Sequence, residues 1–332
     1  MRNYVILILF AFVTLLFTPI SFAEGQSESR SITIAYSGAP ETNIYNALIE
    51  NFGYFTKNHL KVTPSYYPTS KEAAELVISG DKDFGVVNSY TVARMLNEGK
   101  NPVILTSVLR IDEIYYITVN QKTGITSPGD LKGKRIGLVP DDSWEYFLDK
   151  FLTLNGGDIS TVTLVPLPNQ KNVIEKLTVG EIDAGLTLYQ DASGLTANES
   201  DTYQMWSVNN FENNYILLIS NKDFITKNPE VVKNVIKAFV ESWDTFNSDP
   251  GRVKQEIGKK SGLTEKQMDE LVSGLTPEVT LTQGLLNIME TQSRYLLNSG
   301  TGTITETPDY LNVIDFTFLD AVSPMGDTII HG

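Results

Sequence analysis

The segment richest in chemistry is Asp141-Asp142-Ser143-Trp144-Glu145. It follows an apolar run that reads as a buried strand, Arg135 to Val139, and it opens a helix with Phe147, Leu148, Phe151 and Leu152 on one face. Two aspartates at such a place repel an anion. They suit an amine, an amidine or an aminopyrimidine, with Trp144 stacking on the ligand. Acids are also favoured at helix N-termini through capping and the macrodipole, so a purely structural role competes with ligand contact.

Other candidates share that position, the end of a strand. Ser37, Gly38, Ala39 and Pro40 follow the alternating run SITIAY and offer backbone N–H groups and a hydroxyl. Asn88, Ser89 and Tyr90 stand where DFGVVN runs into a helix, where backbone donors suit an anion or a carbonyl, or where Ser89 simply caps the helix. Arg110 ends a further strand and could hold a ligand carboxylate or sulfonate, or bridge to Asp112 or Glu113. Tyr189 and Gln190 end the run DAGLTL and could form an aromatic wall. Tyr66 and Tyr67 are weaker candidates, and the carboxylates Glu181 and Asp183 fit a turn better than an acid–base pair.

Catalytic constellations are missing. The chain has no cysteine and two histidines, His59 and His331, neither with a partner set for metal or acid–base work. No GxSxG, Walker loop or GxGxxG occurs. No cofactor or metal is expected, and a non-enzymatic role is.

The bulk properties set the compartment. Arg2, the apolar run from Tyr4 to Phe17, Pro19 and the small-x-small ending Ser21-Phe22-Ala23 follow the order of a secretory signal peptide over residues 1–23. The apolar part is shorter than the roughly 20 residues of a membrane-spanning helix. If uncleaved, it could still act as an anchor. A net charge of −14 repels nucleic acid and anionic lipid and keeps an exported protein soluble. The chain is too long for one simple core, so two lobes are expected.

The elements that must position these residues alternate. Strand-like runs at 31–36, 61–67, 83–88 and 102–108 are separated by helical ones; Ser70 is expected to cap the helix carrying Ala73, Ala74, Val77 and Ile78. A second set runs from Tyr115 to Ile219. The rest reads as helical, with Asn228-Pro229-Glu230 as a start signal and further helices near 265–274, 282–297 and 308–321. Such alternation gives α/β lobes with mainly parallel sheets, whose ligands sit outside the carboxyl ends of the strands.

Four segments carry a resemblance. They are Asn51-Phe52-Gly53-Tyr54-Phe55 with Leu60-Lys61-Val62, Ile78-Ser79-Gly80 with Asp83-Phe84-Gly85-Val86-Val87, Leu131-Lys132-Gly133-Lys134-Arg135-Ile136-Gly137, and Gly180-Glu181-Ile182-Asp183-Ala184. In this order and spacing the chain resembles the periplasmic solute-binding proteins of ABC importers in the sulfonate, nitrate and thiamine-precursor group. The resemblance implies the type II periplasmic-binding-protein fold: two α/β lobes, two crossover strands and a ligand cleft. Lobe one would be 31–113 plus 214–332 and lobe two 114–213. It also implies a small-molecule ligand, a monomer that docks on an ABC transporter permease, and capture by hinge closure; the alternative is a ligand-binding sensor module for a membrane receptor, with an enzyme on the same fold a lesser one. Relatives that bind sulfonates or nitrate commonly have small hydroxyl residues where Asp141 and Asp142 stand. An enzyme group on this fold relies on a histidine and cysteines that this chain cannot supply.

Overall fold

In the computed structural model, described over residues 29–37, 49–140, 142–208, 212–261, 264–300 and 302–330, the apolar runs pair into two sheets. The chain lays down β1 (Arg30–Ser37), β2 (Leu60–Tyr67), β3 (Phe84–Asn88) and β4 (Val103–Ile111). It then builds β5 (Tyr115–Asn120), β6 (Arg135–Leu138), β7 (Thr163–Pro166), β8 (Ala184–Leu188) and β9 (Tyr203–Ser207), and returns with β10 (Asn214–Ser220) and β11 (Leu275–Thr276). The first sheet has the order β11-β4-β10-β3-β1-β2 and the second β7-β6-β8-β5-β9. This is the two-lobed α/β fold that the resemblance implies. The signal-like residues 1–23 and His331 lie outside the described residues.

Both sheets are mixed rather than uniformly parallel. β1 runs parallel to β2 and β3, and β6 runs parallel to β7 and β8. The strands that carry the chain between lobes run the other way. β10 lies antiparallel between β3 and β4, with Ile216 opposite Asn88 on one side and Leu109 on the other. β5 is antiparallel to both β8 and β9. Every residue of β3, β8 and β10 is buried, which is why FGVVN, AGLTL and NYILLIS read as near-continuous apolar runs.

The helices start where the sequence supplies caps. Thr69 opens α1 (Ser70–Ser79), its side chain accepting from the Glu72 N–H at 3.2 Å; the expected cap, Ser70, instead accepts from the Asn88 side chain at 3.1 Å. Gly80, at φ +86°, ends that helix in the left-handed conformation a side chain would resist. Asn88 opens α2 (Ser89–Asn97), accepting from the Thr91 N–H at 2.7 Å, so the cap is Asn88 rather than Ser89. α3 (Asp142–Leu154) follows β6, and α4 (Gln170–Thr178) begins after Asn169, whose side chain accepts from the Asn172 N–H at 3.0 Å. α5 (Tyr189–Asn198) follows β8 directly.

The C-terminal third is largely helical, with α6 (Pro229–Ser248) packed against β2 and β4 of the first sheet, α7 (Glu265–Ser273) against α5 and α8 (Gln283–Asn298) against α2. Asn228 is the N-cap of α6 as expected, its carbonyl accepting from the Val231 and Val232 N–H groups, but its side chain makes no cap bond; its amide donates to the Phe224 carbonyl at 3.1 Å and closes the preceding helix. The helix expected over 308–321 is broken. A short 3-10 turn at Tyr310–Asn312 and a helix at Thr317–Val322 flank Ile314, which bridges in parallel to Ile104 on β4. The Ile104 N–H donates to the Val313 carbonyl at 2.8 Å, and the Asp315 N–H donates to the Ile104 carbonyl at 2.9 Å. Covering the outer edge of β4 prevails over local helix propensity. Asp183 accepts from Arg135 along both its backbone and its guanidinium, and Glu181 pairs with Lys176, so both carboxylates fasten a turn.

The first crossing between lobes is pinned by a glycine. The Gly274 carbonyl accepts from the N–H groups of Asp112 at 2.9 Å and Glu113 at 3.3 Å, and a Cβ on Gly274 would lie 2.4 Å from the Glu113 carbonyl oxygen. The obstacle is backbone and cannot rotate away. Gly274→Ala is therefore expected to lower stability by about 1–3 kcal/mol, as overpacking does. Gly194→Ala, inside α5 with nothing within 4 Å, should be neutral or gain up to ~1 kcal/mol. Thermal unfolding followed by circular dichroism compares the two.

Candidate functional site

The strand ends of both lobes meet across a cavity of about 760 Å³. From the first lobe it is lined by Ser37 at the end of β1, Pro68, Thr69 and Ser70 leading into α1, Asn88 at the end of β3, and Ile216 on β10. From the second come Val139 and Pro140 after β6, Ser143 and Trp144 in α3, Pro168 to Lys171 opening α4, and Leu188 and Asp191 at the start of α5. Tyr115, the first residue of β5, contributes from the crossing.

The site follows from the local rule that built the helices. Each parallel strand runs into a helix whose first turn faces the gap, leaving N–H groups without intrahelical partners and the positive end of the helix dipole toward the cavity. The side chains around those ends are hydroxyls and amides: Ser37, Thr69, Ser70, Asn88, Ser143, Asn169 and Gln170. Trp144 supplies an apolar face and is held edge-on against Tyr115, ring centroids 4.7 Å apart and planes at 72°. Lys171 and Asp191 are the basic and acidic side chains among the described lining. Asp191 is open to the cavity, yet the surrounding protein desolvates its carboxyl and raises it above the ordinary carboxylate range. Such a lining binds and orients a small polar molecule. Among the described residues no three His, Cys, Asp or Glu side chains are placed to hold a metal ion.

Of the residues expected from the sequence, Ser37, Asn88, Ser143 and Trp144 line the cavity. Ser89 is buried behind it, its hydroxyl 3.4 Å from the Asn214 side-chain oxygen. Arg110 is outside the lining; its guanidinium donates to Asp112 at 2.6 Å, Glu278 at 3.0 Å and Thr276 at 3.3 Å. That is the structural bridge weighed against ligand pairing, extended to a partner far along the chain. Tyr189 packs on Tyr116 with centroids 5.3 Å apart, and the Gln190 carbonyl accepts from the Gln267 amide at 3.2 Å; neither lines the cavity. Tyr66 stacks on Tyr36 at 5.6 Å, away from the lining. Gly38, Ala39, Pro40 and Asp141 lie outside the described residues, as does the side chain of Asp142.

The sequence reading overlooked Thr69, Ser70, Asn169, Gln170, Lys171 and Asp191. The signal was present. Tyr67-Pro68-Thr69-Ser70 and Leu167-Pro168-Asn169-Gln170 each place a proline and a capping residue between a strand and a helix, as the chosen loops do.

Contacts beyond the crossovers join the lobes. Tyr90 of α2 stacks on Tyr146 of α3 with centroids 4.9 Å apart, and Tyr146 meets Tyr295 of α8 edge-on, also at 4.9 Å. Tyr90 is thus an interlobe contact rather than a lining residue. The Tyr146 hydroxyl donates to the Glu212 carboxylate, 2.6 and 2.7 Å from its two oxygens, and Lys150 pairs with Glu212 at 2.8 Å. Burial, reinforced by the Glu212 charge, pushes the Tyr146 phenol above its ordinary range. Elsewhere the Ser193 hydroxyl of α5 donates to Glu270 of α7 at 3.4 Å.

Residues 41–253 match the profile of the family described as NMT1/THI5 like. The chain belongs to the NMT1/THI5-like family. It is 24% identical over 285 residues to the taurine-binding periplasmic protein of Escherichia coli strain K12, covering 79% of this chain and 84% of that one. Its fold matches the alkanesulfonate-binding protein SsuA from Xanthomonas axonopodis pv. citri, solved bound to MOPS, with a TM-score of 0.71 at 16% identity over 87% of this chain and 99% of that one. The same fold carries the desulfurization enzyme DSZB, with a TM-score of 0.63 at 14% identity over 89% and 99% of the two chains. Among the described residues, no helix is long and apolar enough to cross a membrane.

Tyr146 is fully buried between lobes of this NMT1/THI5-like chain, so its removal tests whether the contact holds them. Tyr146→Ala is expected to cost about 3–5 kcal/mol, as other large-to-small aromatic changes do. Tyr146→Phe keeps the ring and removes one hydrogen bond to a charged group, a loss of about 1.5–3 kcal/mol. Equilibrium urea unfolding of both variants measures the order.

Proposed function

We propose that this chain is the extracytoplasmic substrate-binding protein of an ABC-type importer. On this reading it captures a small polar organic solute in the interlobe cavity and presents it to a membrane permease. The observation that carries the reading is the lining: one cavity is walled by strand ends and helix starts from both lobes, so a solute within it touches both at once. Its volume of about 760 Å³ lies within the roughly 300–1,000 Å³ usual for small-molecule sites. The names of the relatives support a sulfonate or taurine-like solute, and the helix starts around the cavity suit an acidic head group. An aminopyrimidine or thiamine precursor is the other solute class considered.

In this reading lobe one is 31–113 plus 214–332 and lobe two is 114–213. The chain bends near residues 111–117 and 207–216, and closure traps the solute by hinge motion. Residues 1–23 export it, to a periplasmic or otherwise extracellular site, where it acts as a monomer. The fold alone does not separate binding from chemistry, since DSZB shares it. The cavity's hydroxyls, amides and single described aromatic pair favour binding.

A bound solute should stabilise the closed form by mass action. A thermal-shift screen over taurine, ethanesulfonate, nitrate, aminopyrimidines and amino acids is expected to raise the unfolding midpoint with the sulfonates. At about 100 times the dissociation constant the gain is about 2.7 kcal/mol. Trp144→Ala should weaken that binding by roughly tenfold, the loss of one aromatic contact of about 1.4 kcal/mol. If no compound in the panel shifts the midpoint, the importer reading is lost.

A further inference from the structure

Two acceptors on the second lobe's side of the cavity have no protein donor among the described residues. The Gln170 side-chain oxygen is buried and has no hydrogen-bond partner among the described residues. A buried acceptor left empty is costly, so such a group is ordinarily filled. Its own helix makes no use of it, because α4 is capped by the Asn169 side chain. An amide flip would not help, since it would bury an unpaired N–H in place of the oxygen.

Asp191 lines the same cavity, in the first turn of α5. A carboxylate there would be explained if it bonded the helix N–H groups. None of the described hydrogen bonds or ion pairs involves it, and α5 has no side-chain cap bond. Backbone donors would hold its carboxyl low, as Thr126 and Ser127 do for Asp130, which is lowered to about 2. Asp191 is shifted the other way, by desolvation. It is an acceptor in need of a positive donor. The first lobe's side differs: Ser37, Ser70 and Asn88 offer hydroxyls and an amide, and no carboxylate is among its described lining residues.

We propose that Gln170 and Asp191 are specificity-determining residues that read a hydrogen-bond donor on the solute, so that the preferred ligand is a zwitterion with an ammonium toward lobe two and its acidic head toward lobe one. This rests on the solute-binding reading above and adds a requirement to it. A bare organic anion would leave the buried Gln170 oxygen without a donor and set a second negative charge beside the Asp191 carboxyl, and discrimination against a ligand lacking a matching donor is large for that reason. Lys171 beside them is exposed on a long flexible stem and can turn its charge to solvent.

The test uses three sulfonates that differ at one end: taurine with an ammonium, 2-hydroxyethanesulfonate with a hydroxyl and ethanesulfonate with a methyl group. Titration calorimetry on the wild-type chain is expected to rank them in that order, with taurine tighter than ethanesulfonate by roughly tenfold or more. Gln170→Leu and Asp191→Asn should each shrink the taurine-to-ethanesulfonate affinity ratio to less than about threefold. Gln170→Glu should keep taurine binding and weaken ethanesulfonate. Melting curves of each variant show that it is folded.

Ethanesulfonate binding as tightly as taurine to the wild-type chain would overturn the proposal and leave the solute-binding reading standing. So would variants that weaken all three ligands equally, the mark of a merely structural role. If none of the three binds, the proposal falls together with the sulfonate reading.

Discussion

The placement of β10 between β3 and β4 governs the rest of the molecule. Those two strands are nearly adjacent in sequence but have no direct pairing, because the strand that fills the gap arrives only after the whole second sheet has been built. β10 is buried along its full length and bonded on both sides. Without it the first sheet would be split into two pieces with exposed edges, a state that sheets avoid. The first lobe therefore cannot be finished until the chain has left and come back. Two crossings follow, and with them a gap between the sheets onto which the strand ends open.

That constraint explains why the chemistry is gathered where it is. Parallel strands all point their carboxyl ends the same way, and each hands the chain to a helix whose first turn carries unpaired N–H groups. Ser37, Asn88, Ser143 and Gln170 come from four different connections and share no sequence neighbourhood, yet all stand on one cavity. The polar lining is a by-product of how such sheets are connected. Its particular character comes from the few residues that depart from simple capping.

The sequence announced most of the scaffold because the scaffold is local. SITIAY, DFGVVN and RIGLV are short apolar runs between turns, and all three are strands. Residues depending on distant partners were harder to read. Arg110 has carboxylates nearby in sequence, but Glu278, which decides its role, is brought to it only by folding. The helical stretch after Pro308 carries a good local pattern, and the exposed edge of β4 overrides it. Asn228 looks like a forward cap, yet its side chain serves the helix behind it. Thr69 and Asn169 were legible as caps, but nothing in their own neighbourhood says that those caps border a cavity. That follows only from the order and direction of the strands.

The tyrosine cluster at Tyr90, Tyr146 and Tyr295 has a consequence for how the two lobes part. Three rings that meet between the lobes hold them together whether or not the cavity is filled, since none of the three is among its lining residues. On the importer reading, prising those rings apart falls to the receiving permease rather than to the solute, which makes unloading the slow stage of each round.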